Sequence, residues 1–352
     1  MSKETQTKKK KLEAKLMTFD EVMKVCKNPY LLLGNGFSIA YNPERFSFTT
    51  LLESAVKNKI ITKEGEVYKV FQELATADFE SVMRSLESAT KIVGVYGGSK
   101  SMQAKIQKDS ENLKEYLVKI ITNNHPAKST DLTNDEKDAC LTFIASFKAI
   151  YTLNYDLLIY WATMHSQSHA SDDGFGNTED SLYEGYVVYK NSSAYKMNMH
   201  YLHGALHYFD ADDEIIKKTY VNTDVPLVTQ TKESLDEGKY PIFISEGTSE
   251  QKMTKILHSA YLNHCYKSLK NIGGKNKPDI VVFGASLKES DKHILDALLQ
   301  SKITNIYYGV SSTEGGEHMA IALDEYNAKT IKERQKNLIL FDYRTVNVWG
   351  RS

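Results

Sequence analysis

The feature that most constrains the fold is an apolar run that breaks abruptly into a glycine-rich turn. Residues 31–40 read Leu-Leu-Leu-Gly-Asn-Gly-Phe-Ser-Ile-Ala, which predicts a buried strand, a tight turn and the start of a helix. Gly34 and Gly36 allow close approach of the backbone, and the amides that open a helix form an anion site that the helix dipole strengthens. The turn therefore predicts a phosphate-binding position at residues 34–38.

A purely structural turn is the alternative interpretation of the same residues. A strand followed by a glycine-rich turn is common in doubly wound folds, whatever they bind. The dinucleotide fingerprint Gly-x-Gly-x-x-Gly also needs glycine or alanine at its last position, where this chain has Ile39. Both interpretations stay open on this motif alone.

Composition narrows the class of protein. The chain has 352 residues, of which 41% are hydrophobic and 25% charged, enough for one large core or two moderate ones. Its net charge of -1 argues against a protein that binds nucleic acid over its whole surface, so any contact with a polyanion would have to be local. No apolar run approaches the ~20 residues of a membrane span. The cysteines Cys26, Cys140 and Cys265 are far apart, so we expect a reduced, cytoplasmic protein without a disulfide framework or a cysteine zinc site.

The chain divides into a tail and one domain. Residues 1–16 carry six lysines against two glutamates, which predicts a flexible basic tail, with contact to nucleic acid or a membrane surface as the less favoured interpretation. Residues 17–352 form the domain. Helical periodicity over about residues 49–146 predicts a helical insertion after the first strand. Asp78 and Glu80 lie in this segment, and a helix start is favoured there over a catalytic pair of acids.

Three further segments place polar residues at the ends of predicted strands. Residues 147–156, Phe-Lys-Ala-Ile-Tyr-Thr-Leu-Asn-Tyr-Asp, put Asn154 and Asp156 where ligands of open α/β sheets bind, although Asp156 also fits a helix cap. His203 precedes glycine in Tyr-Leu-His-Gly-Ala, which fits either an acid–base residue or a structural histidine. Residues 280–287 predict a buried strand that ends at Gly284 and Ser286.

The remaining pattern predicts a series of parallel β-α-β units. We expect strands near residues 241–245, 303–308 and 338–341, a helix from a capping box at residues 248–251 to about residue 269, a helix at 291–299 capped by Ser290, and a helix near 317–335. Residues 166–181 predict a loop. The fold class is α/β: a doubly wound, mostly parallel, Rossmann-like sheet with the helical insertion.

Taken in order, the four motifs resemble those of the sirtuin-like superfamily. The motifs are Gly-Asn-Gly-Phe-Ser, Thr-Leu-Asn-Tyr-Asp, Leu-His-Gly and Phe-Gly-Ala-Ser-Leu. The chain is more closely similar to bacterial sirtuin-like proteins of the uncharacterised or phage-defence type, in which Ser-Glu-Gly-Thr-Ser-Glu-Gln, here residues 245–251, follows the histidine segment. The resemblance spans about residues 30–345.

The resemblance implies NAD as the ligand and a role for each motif. It implies the pyrophosphate against the turn, the nicotinamide ribose near Asn154 and Asp156, and His203 as the general base. The turn residues are Gly34, Asn35, Gly36, Phe37 and Ser38. Gly284 and Ser286 would contact the adenosine side.

The departures from the family pattern favour hydrolysis. Deacetylases of the superfamily carry a zinc module with two Cys-x-x-Cys pairs, and this chain has neither. Without an acyl peptide, water is the natural nucleophile, which predicts an NAD hydrolase that releases nicotinamide and ADP-ribose and uses no metal. The defence resemblance implies restraint by a homo-oligomer or a regulatory partner.

Three alternatives remain. A non-catalytic module could bind NAD or ADP-ribose and signal to partners, and deacylation is less favoured. A metal-dependent hydrolase could use His200, His203 and His207, with Asp210, Asp212 and Asp213 just beyond them. However, a strand over residues 197–203 would put His200 and His203 on opposite faces.

Overall fold

The computed structural model of the chain describes residues 16–165, 171–176, 185–190, 197–211, 214–220, 223–244, 248–273 and 277–351. Its centre is a six-stranded sheet in which every pairing is parallel. The strands, in spatial order, are β11 (Asn337–Asp342), β10 (Asn305–Val310), β9 (Ile280–Phe283), β1 (Tyr30–Leu33), β2 (Ile150–Thr152) and β5 (Met199–Tyr201). The predicted Rossmann-like α/β class is confirmed.

Strand β1 lies in the middle of this sheet because its residues are apolar on both faces. Leu31, Leu32 and Leu33 are fully buried, as expected for a parallel strand covered by helices on both sides. Leu31 pairs with Ile150 of β2, and Leu32 pairs with Val282 of β9. The carboxyl ends of these three strands therefore meet at one edge, and the predicted motif turns follow them there.

Helices fill the chain between β1 and β2. They are α2 (Gly36–Tyr41), α3 (Pro43–Phe46), α4 (Phe48–Lys57), α5 (Glu66–Glu73), α6 (Phe79–Val95), α7 (Lys100–Asn124) and α8 (Asn134–Ala145). Before them, α1 (Phe19–Val25) begins at a capping box formed by Thr18 and Glu21. The apolar periodicity that predicted these helices is explained by burial, since Val82 and Leu113 are both fully buried.

A second, five-stranded antiparallel sheet was not predicted, although the strand expected near residues 241–245 forms one of its edges. Its order is β3 (Phe175–Gly176), β4 (Tyr186–Tyr189), β7 (Glu214–Lys218), β6 (Gly204–Ala211) and β8 (Pro241–Phe243). The predicted strand over residues 197–203 is wrong at its end, because β5 stops at Tyr201 and the chain turns into the second sheet. Gly204 makes that turn at φ +83°, and a Cβ there would lie 1.9 Å from the carbonyl oxygen of Ile242. The helix α9 (Leu158–His165) follows β2, and α10 (Leu227–Asp236) precedes β8.

The C-terminal third alternates strands and helices, with shorter helices than the sequence predicted. The predicted helix from residue 249 to 269 is two helices, α11 (Ser249–His258) and α12 (Ala260–Lys270), because the Ser259 hydroxyl caps a new start. Ser290 lies inside a 3₁₀ turn instead of capping α13 (Lys292–Gln300). The helix α14 (Glu317–Ala328) ends before residue 335.

Several predictions fall on residues outside the described part of the chain. These are the basic tail at residues 1–15, most of the loop at 166–181, residues 245–247 of the Ser-Glu-Gly-Thr-Ser-Glu-Gln motif, and Asp212 and Asp213. Among the helices that are described, none combines the length and the apolar character needed to cross a bilayer.

Candidate active site

A cavity of about 690 Å³ opens at the carboxyl ends of β1, β2, β9 and β10. Residues from all four predicted motifs line it. These residues are Gly34, Asn35 and Gly36 from the first turn, Asn154 and Asp156 after β2, His203 after β5, and Gly284 and Ser286 after β9. Phe37 and Ser38, the other two residues of this turn, are buried. The sequence therefore predicted where a single cavity forms.

The glycines of the first turn are needed because the turns after β1 and β9 touch. A Cβ on Gly34 would lie 2.5 Å from Cα of Ala285, and a Cβ on Gly36 would lie 2.5 Å from Cα of Gly284. Gly284 itself has φ +71°, a conformation that favours glycine. Packing between the two turns is thus sufficient to explain these glycines.

Three amides of the first turn already have acceptors. Gly36 N donates to Gly284 O over 3.0 Å, Phe37 N to Gly34 O over 2.9 Å, and Ser38 N to Asn35 O over 3.0 Å. Helix α2 has only six residues. The sequence predicted that these amides would be free for an anion, but the structure pairs them within and between the turns.

Asp156 joins the first turn to the end of β2. The Ser38 hydroxyl donates to Asp156 Oδ2, the Leu158 amide donates to Asp156 Oδ1 over 2.9 Å, and Asn154 Nδ2 donates to Ser38 Oγ over 2.8 Å. Burial raises the pKa of the Asp156 carboxyl, while the hydrogen bonds from Ser38 and Leu158 oppose that shift. The helix-cap interpretation of Asp156 is confirmed, and its two bonded oxygens make it a positioning residue.

His203 is a buried, neutral histidine on the cavity wall. It is 3% exposed, and its Nε2 lies 3.2 Å from Nε2 of His293 and 4.0 Å from Oδ1 of Asp291. Burial, followed by the charge of Lys252, lowers the pKa of His203 well below its usual value. An unprotonated imidazole is the form that a general base needs.

An ion triad around a buried lysine lies next to His203, and the sequence did not predict it. The ammonium of Lys252, which has no solvent exposure, lies 2.7 Å from Glu80 Oε2 and 3.1 Å from Asp291 Oδ1. Burial lowers the pKa of Lys252, but the two carboxylates raise it by more, so Lys252 stays charged. Burial raises the pKa of Glu80 to about 7 although Lys252 opposes this shift. The triad ties α6, α11 and the 3₁₀ turn before α13 together.

The acids at residues 78 and 80 have different roles. The side chain of Asp78 accepts from the Glu80 amide over 3.0 Å, which confirms the predicted helix start. Both acids line the cavity, and Glu80 also pairs with Lys252, a contact that dipole arguments on one helix could not reveal.

Within the described residues, His203, Asp291 and His293 have ligand atoms within 4.8 Å of one another. This spacing could suit a cation, but the ammonium of Lys252 already contacts Asp291 and supplies the positive charge. The predicted alternative of His200, His203 and His207 does not form a ligand set here. The ring of His200 stacks on Tyr151 at 4.6 Å, and the ring of His207 packs 4.5 Å from Tyr160.

A family model described as a domain of unknown function, DUF4917, matches residues 31–349. The chain belongs to the DUF4917 family. The DUF4917 match begins inside β1 and ends at Trp349. The indole Nε1 of Trp349 donates to Phe37 O over 3.0 Å, so the end of the matched segment contacts the turn that follows its first strand. A comparison with curated proteins found no match.

Proposed function

We propose that this DUF4917 protein hydrolyses NAD to nicotinamide and ADP-ribose in the cavity at the carboxyl ends of the parallel strands. The observation that carries the proposal is convergence: four sequence motifs that resemble sirtuin-like ones, spread over residues 34–286, line one cavity. Its volume, about 690 Å³, falls in the range of roughly 300–1,000 Å³ that small-molecule and cofactor sites occupy.

We propose that NAD binds with its nicotinamide ribose beside Asn154 and His203 and its adenosine beside Ser286, all of which line the cavity. Arg344 suits the pyrophosphate because it lines the cavity and is held in place: its Nε and Nη2 donate to Asp342 over 2.8 Å each, and Nη2 also donates to Ser311 O over 3.1 Å. A positioned guanidinium is a strong partner for phosphate oxygens.

The proposed reaction needs a base but no general acid. The bond between ribose C1′ and the pyridinium nitrogen breaks, and its electron pair stays with the nitrogen, so nicotinamide leaves as a neutral molecule. A water oxygen bonds to C1′ and gives its proton to His203. Asn154 orients the ribose hydroxyls or the water. A positioned base typically contributes about 10²- to 10⁴-fold to such a step.

Product analysis separates this activity from the alternatives. Purified protein is incubated with NAD, and the products are resolved by chromatography. The proposal expects nicotinamide and ADP-ribose in equal amounts. A non-catalytic module would bind NAD without forming either product, and a deacylase would release nicotinamide only when an acylated peptide is added.

Calorimetry tests where the pyrophosphate binds. Arg344→Met should weaken NAD binding by about tenfold, equivalent to about 1.4 kcal/mol. Arg334→Met is the control, since Arg334 is also exposed but is not among the residues that line the cavity. Equal NAD affinity in the two variants would contradict this placement. Gly36→Val is unsuitable because the new side chain would collide with the backbone of Gly284.

The resemblance to defence proteins supports a cellular role, and we propose that the hydrolase depletes NAD during phage infection. Bacteria that express the unmodified protein should lose NAD after infection and yield fewer plaques. Cells that express His203→Ala should keep their NAD, whereas His258→Ala, a change at an exposed histidine outside the cavity, should behave like the unmodified protein. Equal plaque numbers with the unmodified protein and His203→Ala would contradict the defence role.

A further inference from the structure

Carboxylates line one part of the cavity, and the ammonium that pairs with them lies behind them. Asp78, Glu80 and Asp291 line the cavity. Lys252 pairs with Glu80 and Asp291, but it has no solvent exposure and is not among the residues that line the cavity. The surface that a ligand meets here is therefore more negative than the ion triad as a whole.

Each of the two paired carboxylates keeps one oxygen for a ligand. Lys252 Nζ contacts Oε2 of Glu80 and Oδ1 of Asp291. Among the described residues, none donates a hydrogen bond to Glu80 Oε1 or to Asp291 Oδ2. The side chain of Glu80 is 21% exposed and that of Asp291 is 16% exposed, so both carboxylates stay in contact with the cavity.

The hydroxyl of Tyr155 reports the charge of this region. Tyr155 lines the cavity as well. Burial raises the pKa of Tyr155 well above its usual value, and four carboxylates raise it further. They are those of Glu80, Asp78, Asp291 and Asp156. Each of these charges disfavours the phenolate, so the region repels an anion and favours a cation.

The permanent positive charges on the cavity wall are held by other carboxylates. Among the described lining residues, these charges belong to Arg344 and Arg351. Asp342, at the end of β11, holds Arg344, and Glu136 of α8 holds Arg351. The cavity thus offers carboxylates beside His203 and guanidinium groups elsewhere, which suits a ligand that carries both a cation and phosphates.

A buried acceptor in the same cavity also lacks a partner. Asn154 is 7% exposed and lines the cavity. Its Nδ2 donates to Ser38 Oγ over 2.8 Å, but no donor among the described residues reaches its Oδ1. Buried polar groups are rarely left unsatisfied, so this oxygen indicates a bound group in the cavity independently of the carboxylates.

We propose that Glu80 and Asp291 are specificity-determining residues that recognise the positive charge of the nicotinamide riboside half of NAD. This role rests on the proposed function, which puts that half beside Asn154 and His203. The charge starts on the pyridinium ring. As the bond between C1′ and the ring nitrogen breaks, its electron pair moves to the nitrogen and positive charge develops on C1′ and the ribose ring oxygen. Carboxylates beside this bond stabilise both states.

An uncleavable pair of ligands tests the charge recognition. In carbocyclic NAD a methylene group replaces the oxygen of the nicotinamide ribose ring, so the bond to nicotinamide stays intact. Its reduced form differs in having a neutral dihydronicotinamide ring. Calorimetry at pH 8, above the Glu80 pKa of about 7, measures both affinities. We expect the oxidised form to bind at least about fivefold more tightly, the smallest Coulomb effect expected for unit charges a few ångströms apart.

Neutral variants assign this preference to the two carboxylates. Glu80→Gln and Asp291→Asn should each lower the ratio of the two affinities by about threefold or more, whereas the affinity for ADP-ribose, which has no nicotinamide ring, should change little. Glu66→Gln is the matched control, because Glu66 also lies 2.7 Å from a lysine, Lys105, but is exposed and is not among the lining residues. If one of the two neutral variants fails to fold, the other carries the test.

Three results would overturn the inference. They are equal or tighter binding of the reduced form by the unmodified protein, a ratio that neither neutral variant lowers, and a stoichiometric divalent metal ion that elemental analysis finds in the unmodified protein but not in the variants. If neither ligand binds, the inference and the proposed binding site fail together. If the carboxylates give the expected preference but NAD yields no nicotinamide, the proposed hydrolysis fails and the recognition of the cation stands.

Discussion

The hydroxyl of Ser38 donates to the carboxylate of Asp156, 118 residues further along the chain, and this bond joins the turn after β1 to the turn after β2. Asp156 is 4% exposed. The same carboxylate accepts a hydrogen bond from the Leu158 amide, the first amide of α9. One buried carboxylate thus fixes two walls of the cavity.

The first prediction concerns the stability that Asp156 provides. Asp156→Ala should lower the free energy of unfolding by about 2–6 kcal/mol, because the Ser38 hydroxyl proton and the Leu158 amide would be left buried without acceptors at about 1–3 kcal/mol each. Urea denaturation measures the change. Asp324→Ala, on the exposed face of α14, is the control and should be nearly neutral. Equal midpoints for the two variants would show that Asp156 does not join the turns.

The second prediction concerns the ion triad of Lys252, Glu80 and Asp291. Lys252→Met should cost about 1–3 kcal/mol of unfolding free energy, because it leaves the half-buried carboxylates of Glu80 and Asp291 without their cation. Adding Glu80→Gln should recover part of the loss, which a double-mutant cycle would measure as a coupling energy. Lys105→Met is the comparison: its pair with Glu66 is similar in length, 2.7 Å, but exposed, so no measurable loss is expected. A loss from Lys252→Met no greater than that from Lys105→Met would contradict the prediction.

The third prediction concerns acid stability and His125. This histidine is 3% exposed, accepts from the Leu157 amide at Nε2 and donates from Nδ1 to Pro126 O. Burial lowers the pKa of His125 to about 4 although the Pro126 carbonyl opposes this shift. Its unfolded pKa is about 6.5, so the unfolded chain takes up the proton first as the pH falls. His125 therefore contributes up to about 3 kcal/mol to the free energy of unfolding above pH 6.5. This contribution is lost as the pH falls from 6.5 to about 4.

The variant His125→Gln removes this titration while keeping an oxygen that can accept from Leu157. Unfolding free energies measured between pH 7 and 4 should fall less steeply in His125→Gln than in the unmodified protein, by up to about 1.4 kcal/mol per pH unit. His258→Gln, at an exposed histidine, should keep the original slope. An unchanged slope in His125→Gln would mean that His125 is already protonated in the folded protein.

The sequence was sufficient to predict the parallel sheet and the cavity edge because both follow from local pattern. Apolar runs such as residues 30–33 are typical of buried parallel strands, and polar residues after such strands lie at the carboxyl edge of the sheet. The second sheet was missed because strands such as β4 and β7 are only partly buried, so their alternation of apolar and polar residues is weak.

The site residues that the sequence did not predict were missed for a different reason. Glu80 and Lys252 are 172 residues apart, and His203 and His293 are 90 residues apart. Each of these residues except His203 lies on a helix whose own pattern explains it without reference to the partner. Gly34 and Gly36 show the opposite problem: the sequence identified them correctly, but contact with Gly284 and Ala285 explains them without a bound phosphate.

The most direct test of the central claim is nicotinamide release from NAD by four proteins: the unmodified chain, Asn154→Ala, His203→Ala and the double variant. Asn154 and His203 line the same cavity, so each single change should reduce turnover, by about 10²- to 10⁴-fold for His203→Ala. The double variant should be little worse than the poorer single one, because residues that act as a unit lose activity non-additively. His258→Ala should match the unmodified chain. Full turnover by His203→Ala, or no nicotinamide from the unmodified chain, would contradict the proposed NAD hydrolase.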